Sequence, residues 1–130
     1  VLEGTAARLA ARAAADFEID ELEAINSDLA KAATPAEAFR LNRLFHAALL
    51  DAAKNRFLRH SMMSLQKALM ILGPTTLAES DRFEGALEEH TALLAALRDR
   101  DGARAEQQMR AHIEASGRAR IRALRDAQSF

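Results

Sequence analysis

Thirty alanines and 18 leucines face only 11 β-branched residues (Val1, five Ile and five Thr) in this chain. Alanine and leucine lose little on entering a helix, whereas strands favour branched and aromatic side chains. With two prolines and five glycines there are few places to break a helix. The composition therefore points to an all-α fold. At 130 residues the chain is one domain by size, with enough apolar content (49%) to build a core. The absence of cysteine excludes disulfides, thiolate metal sites and cysteine nucleophiles. A net charge of −1 provides no global field for nucleic acid or anionic lipid. No apolar run approaches the roughly 18 residues of a membrane span. The first residue is Val1 rather than Met, which reads as a segment of a longer chain.

Apolar periodicity divides the chain into six helical segments. The first, about residues 1–15, sets Leu2, Ala6, Leu9, Ala10 and Ala13 on one stripe, with Arg8 and Arg12 on other faces. After a break at Asp16–Asp20, a second runs from Ile19 to Ala32 on Leu22, Ile25 and Leu29, with Asp20 as a candidate cap. Thr34-Pro35, with Glu37 three residues after the threonine, is a capping-box start for a third segment ending near Ala53. Lys54-Asn55 separates it from a fourth, 56–72, with Leu58, Met62, Leu65, Leu69 and Leu72 in phase. Gly73-Pro74 and Thr75-Thr76 form the next break. A fifth segment covers 79–98, and Asp101-Gly102 separates it from a sixth over 103–127. Short connections between such segments favour an antiparallel bundle.

Helical phase sorts the four histidines. His46 shares a face with Asn42, Phe45, Leu49 and Ala53. His90 shares one with Phe83, Leu87, Leu94 and Leu97, and His112 one with Ala105, Met109 and Ser116. These three rings are expected inside the bundle. His60 lies roughly 200° around its helix from Leu58 and is expected outside. A polar ring buried without a partner costs roughly 1–3 kcal/mol. A shared divalent metal would satisfy three imidazoles at once, and Asn42, one turn before His46, could add an amide oxygen. The plainer alternative is a metal-free helical dimerisation domain, its core histidines hydrogen-bonded to Gln108, Asn42 or water.

Other chemistries find little support. The Glu-x-x-His di-iron pattern is absent, as are His-Glu-x-x-His, Gly-rich phosphate loops and Gly-x-Ser-x-Gly. Without Tyr or Trp, base-stacking platforms are not expected. A metal-dependent hydrolase or lyase would need a general base. No acidic residue lies in phase with the three histidines, and Glu89 is turned about 100° from His90. Arg110, Arg118, Arg120, Arg122 and Arg125 read as a solvated face near a helix C-terminus, and Asp16, Glu18, Asp20, Glu21 and Glu23 as a helix N-terminal preference.

Several of these residues fall into a known pattern. Leu41-Asn42-Arg43-Leu44-Phe45-His46 resembles the Asp/Asn-x-x-Phe-His signature of the FadR C-terminal (FCD) domain of GntR-family transcription regulators. Val1-Leu2-Glu3 followed by Ala6-Ala7-Arg8-Leu9-Ala10-Ala11 resembles the first-helix motif of that family. Ala52-Ala53-Lys54-Asn55, Arg82 ahead of Glu89-His90, and Asp101-Gly102-Ala103-Arg104-Ala105 followed by His112 resemble its later motifs.

The resemblance implies an antiparallel bundle of six to seven helices spanning residues 1–130, serving as a ligand-binding and dimerisation domain. It implies a divalent metal on Asn42, His46, His90 and His112, with zinc or nickel first and manganese or iron as alternates. It further implies a small carboxylate effector assisted by Arg82, a homodimer, a cytoplasmic location and no catalysis. DNA would be bound only through an N-terminal winged-helix domain outside this chain. Asn42 departs from the commoner aspartate, offering a neutral and weaker ligand.

Overall fold

The computed structural model describes residues 1–70 and 80–128, and among them there are six helices and no strand. They are α1 (Leu2–Ala13), α2 (Asp16–Ala30), α3 (Pro35–Ala52), α4 (Arg56–Met70), α5 (Ser80–Arg98) and α6 (Gly102–Ala127). The side chains of Leu69 and Leu72, the break at Gly73-Pro74, the Thr75-Thr76 loop and a helix start at Glu79 lie outside the described residues.

The helix starts follow from local chemistry. Thr34 Oγ1 accepts the Glu37 amide at 3.2 Å, with Pro35 at the first helical position. The Glu37 carboxylate lies 3.7 Å from Arg40, so the reciprocal half of the expected capping box is replaced by an i,i+3 ion pair. Asn55 Oδ1 accepts the amides of Phe57 and Leu58 at 3.1 and 3.0 Å and so starts α4. Asp101 Oδ1 does the same for Arg104 at 3.1 Å on α6. The expected break at Asp16–Asp20 is instead helical. Glu18 Oε1 reaches back to accept the Ala15 amide at 2.9 Å, so α2 begins three residues earlier than the apolar pattern suggests, and Asp20 is not its cap.

Contacting pairs give the helix directions. Along α2 and α5, Asp20 and Glu23 meet Arg98, while Asn26 meets His90. Along α1 and α6, Gly4 lies against Arg110, Arg8 pairs with Glu106, and Gly102 lies against Arg8. Both pairs are therefore antiparallel. A Cβ at Gly4 would stand 3.0 Å from Arg110 Cγ, so glycine there permits the close approach of α1 to α6. The same approach explains why α1 buries Ala6, Ala7, Ala10 and Ala11, while Leu2 and Leu9 sit half-buried and Ala13 is exposed. Small side chains let the α1 backbone lie deep against its neighbours.

Two turns are held by arginine and lysine. Arg100, in left-handed backbone (φ 54°), donates to the Ala11 and Ala14 carbonyls and to Asp16 at 2.7 Å. It thereby fastens the α5–α6 turn to the α1–α2 turn. Lys54 (φ 56°) donates to Glu18 at 2.6 Å and ties the α3–α4 turn to the start of α2. The main core joins Phe45, Ile19, Leu22, Leu49, Leu93, Leu97 and Met109 with the small residues of α1. A second cluster of Leu29, Ala38 and Leu41 is covered by Phe83 and Leu87. No helix among the described residues is long and apolar enough to cross a membrane.

Candidate metal centre

Three helices each deliver one imidazole to the bundle interior: His46 from α3, His90 from α5 and His112 from α6. His90 and His112 are buried, and the His46 side chain is 10% exposed. Their Nε2 atoms converge. His90 Nε2 and His46 Nε2 each lie 3.3 Å from His112 Nε2. Phe45, one residue before His46, stacks on His90 with centroids 4.1 Å apart and planes within 7°. That contact fixes the His90 ring plane from the apolar side. His60 is exposed on α4, as its phase suggested.

The outward nitrogens are also paired. His46 Nδ1 lies 3.0 Å from Glu3 Oε2, His90 Nδ1 3.0 Å from Asn26 Oδ1, and His112 Nδ1 2.6 Å from Glu89 Oε1. Each partner is an acceptor, so each Nδ1 carries the proton and each Nε2 of a neutral ring presents a lone pair inward. Lone pairs facing one another at 3.3 Å repel unless positive charge lies among them.

The electrostatics of the cluster show the same preference. Burial pushes His90 far down, and the neighbouring charges of His46, His112 and Arg82 push it further. Burial and His46 lower His112 to about 4, although Glu89 opposes them. Burial also opposes charge on His46, but Glu3 outweighs it through charge and hydrogen bond and raises its pKa. Glu3 is in turn held low by His46 despite its own burial, and Glu89 by Arg82 and His112. The protonation balance thus favours positive charge on His46 over His90 or His112.

A divalent cation fits this donor set. Tetrahedral coordination at a Zn–N distance of about 2.0–2.1 Å places neighbouring nitrogens about 3.3–3.4 Å apart, which matches the two separations from His112 Nε2, and one donor atom from each of the three rings lies within 4.8 Å of the others. Asn42, one turn before His46 on α3, has a buried Oδ1 with no hydrogen-bond partner among the described residues. A buried acceptor left without a partner is one that a cation could satisfy.

Arg82, on α5, is 91% buried in its side chain, which is 9% exposed. Both terminal nitrogens donate to the Glu89 carboxylate, while its Nε is buried with no partner among the described residues. Glu89 therefore bridges Arg82 and His112. Glu89 is out of phase with His90, as its 100° offset implies, yet it reaches a histidine on another helix. The 100° turn from His90 carries Glu89 toward α6, where His112 stands. Gln108 is not the hydrogen-bond partner of His112, because Glu89 occupies that place.

Sequence reasoning missed Glu3, Asn26 and Glu89 as partners of the histidines. Glu3 did fall within the first-helix motif, and Glu89 beside His90 in another. Asn26 had one signal, a polar residue next to Ile25 on a helix whose core face is otherwise apolar.

No curated protein matches the chain. Residues 1–115 match the FCD domain, a span covering α1 to α5 and the first half of α6. The chain therefore belongs to the FCD domain family, the effector-binding C-terminal domains of GntR/FadR regulators, which are regulatory and not enzymatic.

Proposed function

We propose that this domain senses a small carboxylate metabolite at a metal centre formed by Asn42, His46, His90 and His112, and passes that occupancy to a DNA-binding domain of the same regulator. The observation that carries this reading is the convergence of three imidazole Nε2 atoms whose Nδ1 atoms are all held from outside. A bound divalent cation would supply a positive anchor for the effector carboxylate. Zinc and nickel suit three nitrogens and one oxygen, with manganese and iron as alternates. A neutral Asn42 leaves the centre more positive than an aspartate would, which favours an anionic ligand.

Arg82 serves as the second anchor. Its guanidinium is preorganised by Glu89, and its unpaired Nε offers a donor for a carboxylate oxygen. Hydroxy acids, keto acids, sugar acids and fatty-acid derivatives are the effector classes with this chemistry. Effector affinity that differs between two arrangements of the domain shifts their populations, and this would reach DNA through an N-terminal winged helix. The working protein in this reading is a cytoplasmic homodimer. A panel of carboxylic acids tested by thermal shift checks the proposal. A hit should raise Tm in Zn- or Ni-loaded protein, lose most of that effect in Arg82→Ala, and do nothing after chelation. Equal shifts with and without metal would contradict it.

A further inference from the structure

The histidine partners contribute a second set of charges. Glu3 comes from α1, Asn26 from α2 and Glu89 from α5, so each imidazole is held by a helix other than its own. Two of these three partners are carboxylates. The side chain at the inner oxygen position, Asn42, is an amide. We infer that Glu3, Asn26 and Glu89 are positioning residues of the metal site, and that Glu3 and Glu89 supply from outside the rings the negative charge that Asn42 does not supply from within. The inference rests on the metal reading above.

An imidazole can present either nitrogen to a metal, and the hydrogen bond on the other nitrogen decides which. Acceptors stand on all three Nδ1 atoms, so all three rings are committed to Nε2. A carboxylate on Nδ1–H also makes the ring a stronger donor than an amide does, because negative charge beside the N–H increases electron density at the opposite nitrogen. His46 and His112 are therefore the strong ligands, and His90, backed by neutral Asn26 and stacked on Phe45, is the weak one. Glu3 isolates the effect most cleanly. It reaches across from α1 to His46, whereas Glu89 is shared with Arg82.

The test uses Ni²⁺ and Zn²⁺ as probes, with Kd measured by competition against a chromophoric chelator. Glu3→Gln keeps an acceptor but removes the charge, and should weaken binding about 10- to 100-fold. Glu3→Asp should recover part of that loss. Asn26→Asp should tighten binding, opposite in sign, because it gives His90 a carboxylate partner. The nitrogen-15 spectrum of the Zn²⁺-loaded protein should show Nε2 bound to metal and Nδ1 protonated in all three rings. Thermal melts confirm that each variant is folded. Should Asn26→Asp fail to fold, the Glu3 pair and the spectrum decide. Folded Glu3→Gln with unchanged Kd, or ligation through any Nδ1, would overturn the inference while leaving the metal reading intact. A parent protein that takes up neither ion would overturn both.

Discussion

α4 and α5 differ in a way that separates amphipathicity from depth. α4 has the cleaner apolar stripe in sequence, yet among its described side chains Leu58 and Met62 are the buried ones, and Leu65 on the same stripe is 45% exposed. Its flank shows Phe57 at 74% exposure and Met63 is open as well. α5 looks less one-sided, yet it buries Ala86, His90, Leu93, Leu94, Ala96 and Leu97. The difference lies in the number of neighbours. Among the described residues α5 packs against α1, α2 and α6, whereas α4 meets α1 and α3, and less extensively. A helix with partners on several sides buries a broad face, and that face has room for a polar ring. The site is accordingly built on the central helices.

Core truncation should break the comparison most visibly. Leu97→Ala on α5 removes a fully buried side chain and should cost about 2–5 kcal/mol in chemical denaturation. Phe57→Ala on α4 should change the stability of the single chain by no more than about 0.5 kcal/mol. A similar cost at both positions would show that α4 is as deeply packed as α5.

Acid should act on the central helices next. An unfolded histidine gains its proton near pH 6.5, whereas folded His112 resists until about 4 and His90 resists further. Between these values the unfolded chain binds more protons, so stability falls as pH drops through the window. For His112 alone the loss approaches about 3 kcal/mol. His46 works in the opposite direction: its raised pKa gives stability that is full below about 6.5 and lost above its folded value. Glu3 and Glu89, held low, lose their contribution only as pH falls below about 4.5. Melts of chelator-treated protein should show Tm falling from pH 6.5 to 4, and a His112→Phe variant should flatten that fall.

The smaller effects sharpen the comparison. Thr34→Ala removes the cap of α3, the helix that carries Asn42 and His46, and should cost about 1 kcal/mol by denaturant titration. His60→Ala on α4 should leave both stability and metal content unchanged.

Much of this was legible because one helix's phase tells where its own side chains point. That was enough to set His46, His90 and His112 inward and His60 outward. It could not show what faces them. Glu3 and Asn26 reach the rings from α1 and α2, and Glu89 reaches His112 across the α5–α6 contact, so each depends on packing that no single periodicity encodes. The start of α2 was hidden for a related reason: its cap is Glu18 bonding backward to Ala15, and alanine gives no sign of a helix start. Leu65 on the α4 stripe is exposed because apolar spacing says that a face exists, not that a neighbour covers it.

The most direct measurement is elemental metal analysis of protein purified without chelator or nickel resin, beside His46→Ala and His112→Ala. The account predicts close to one divalent metal per chain in the parent and its loss in both variants. A metal-free parent that takes up no zinc, nickel or manganese when these are supplied would contradict it.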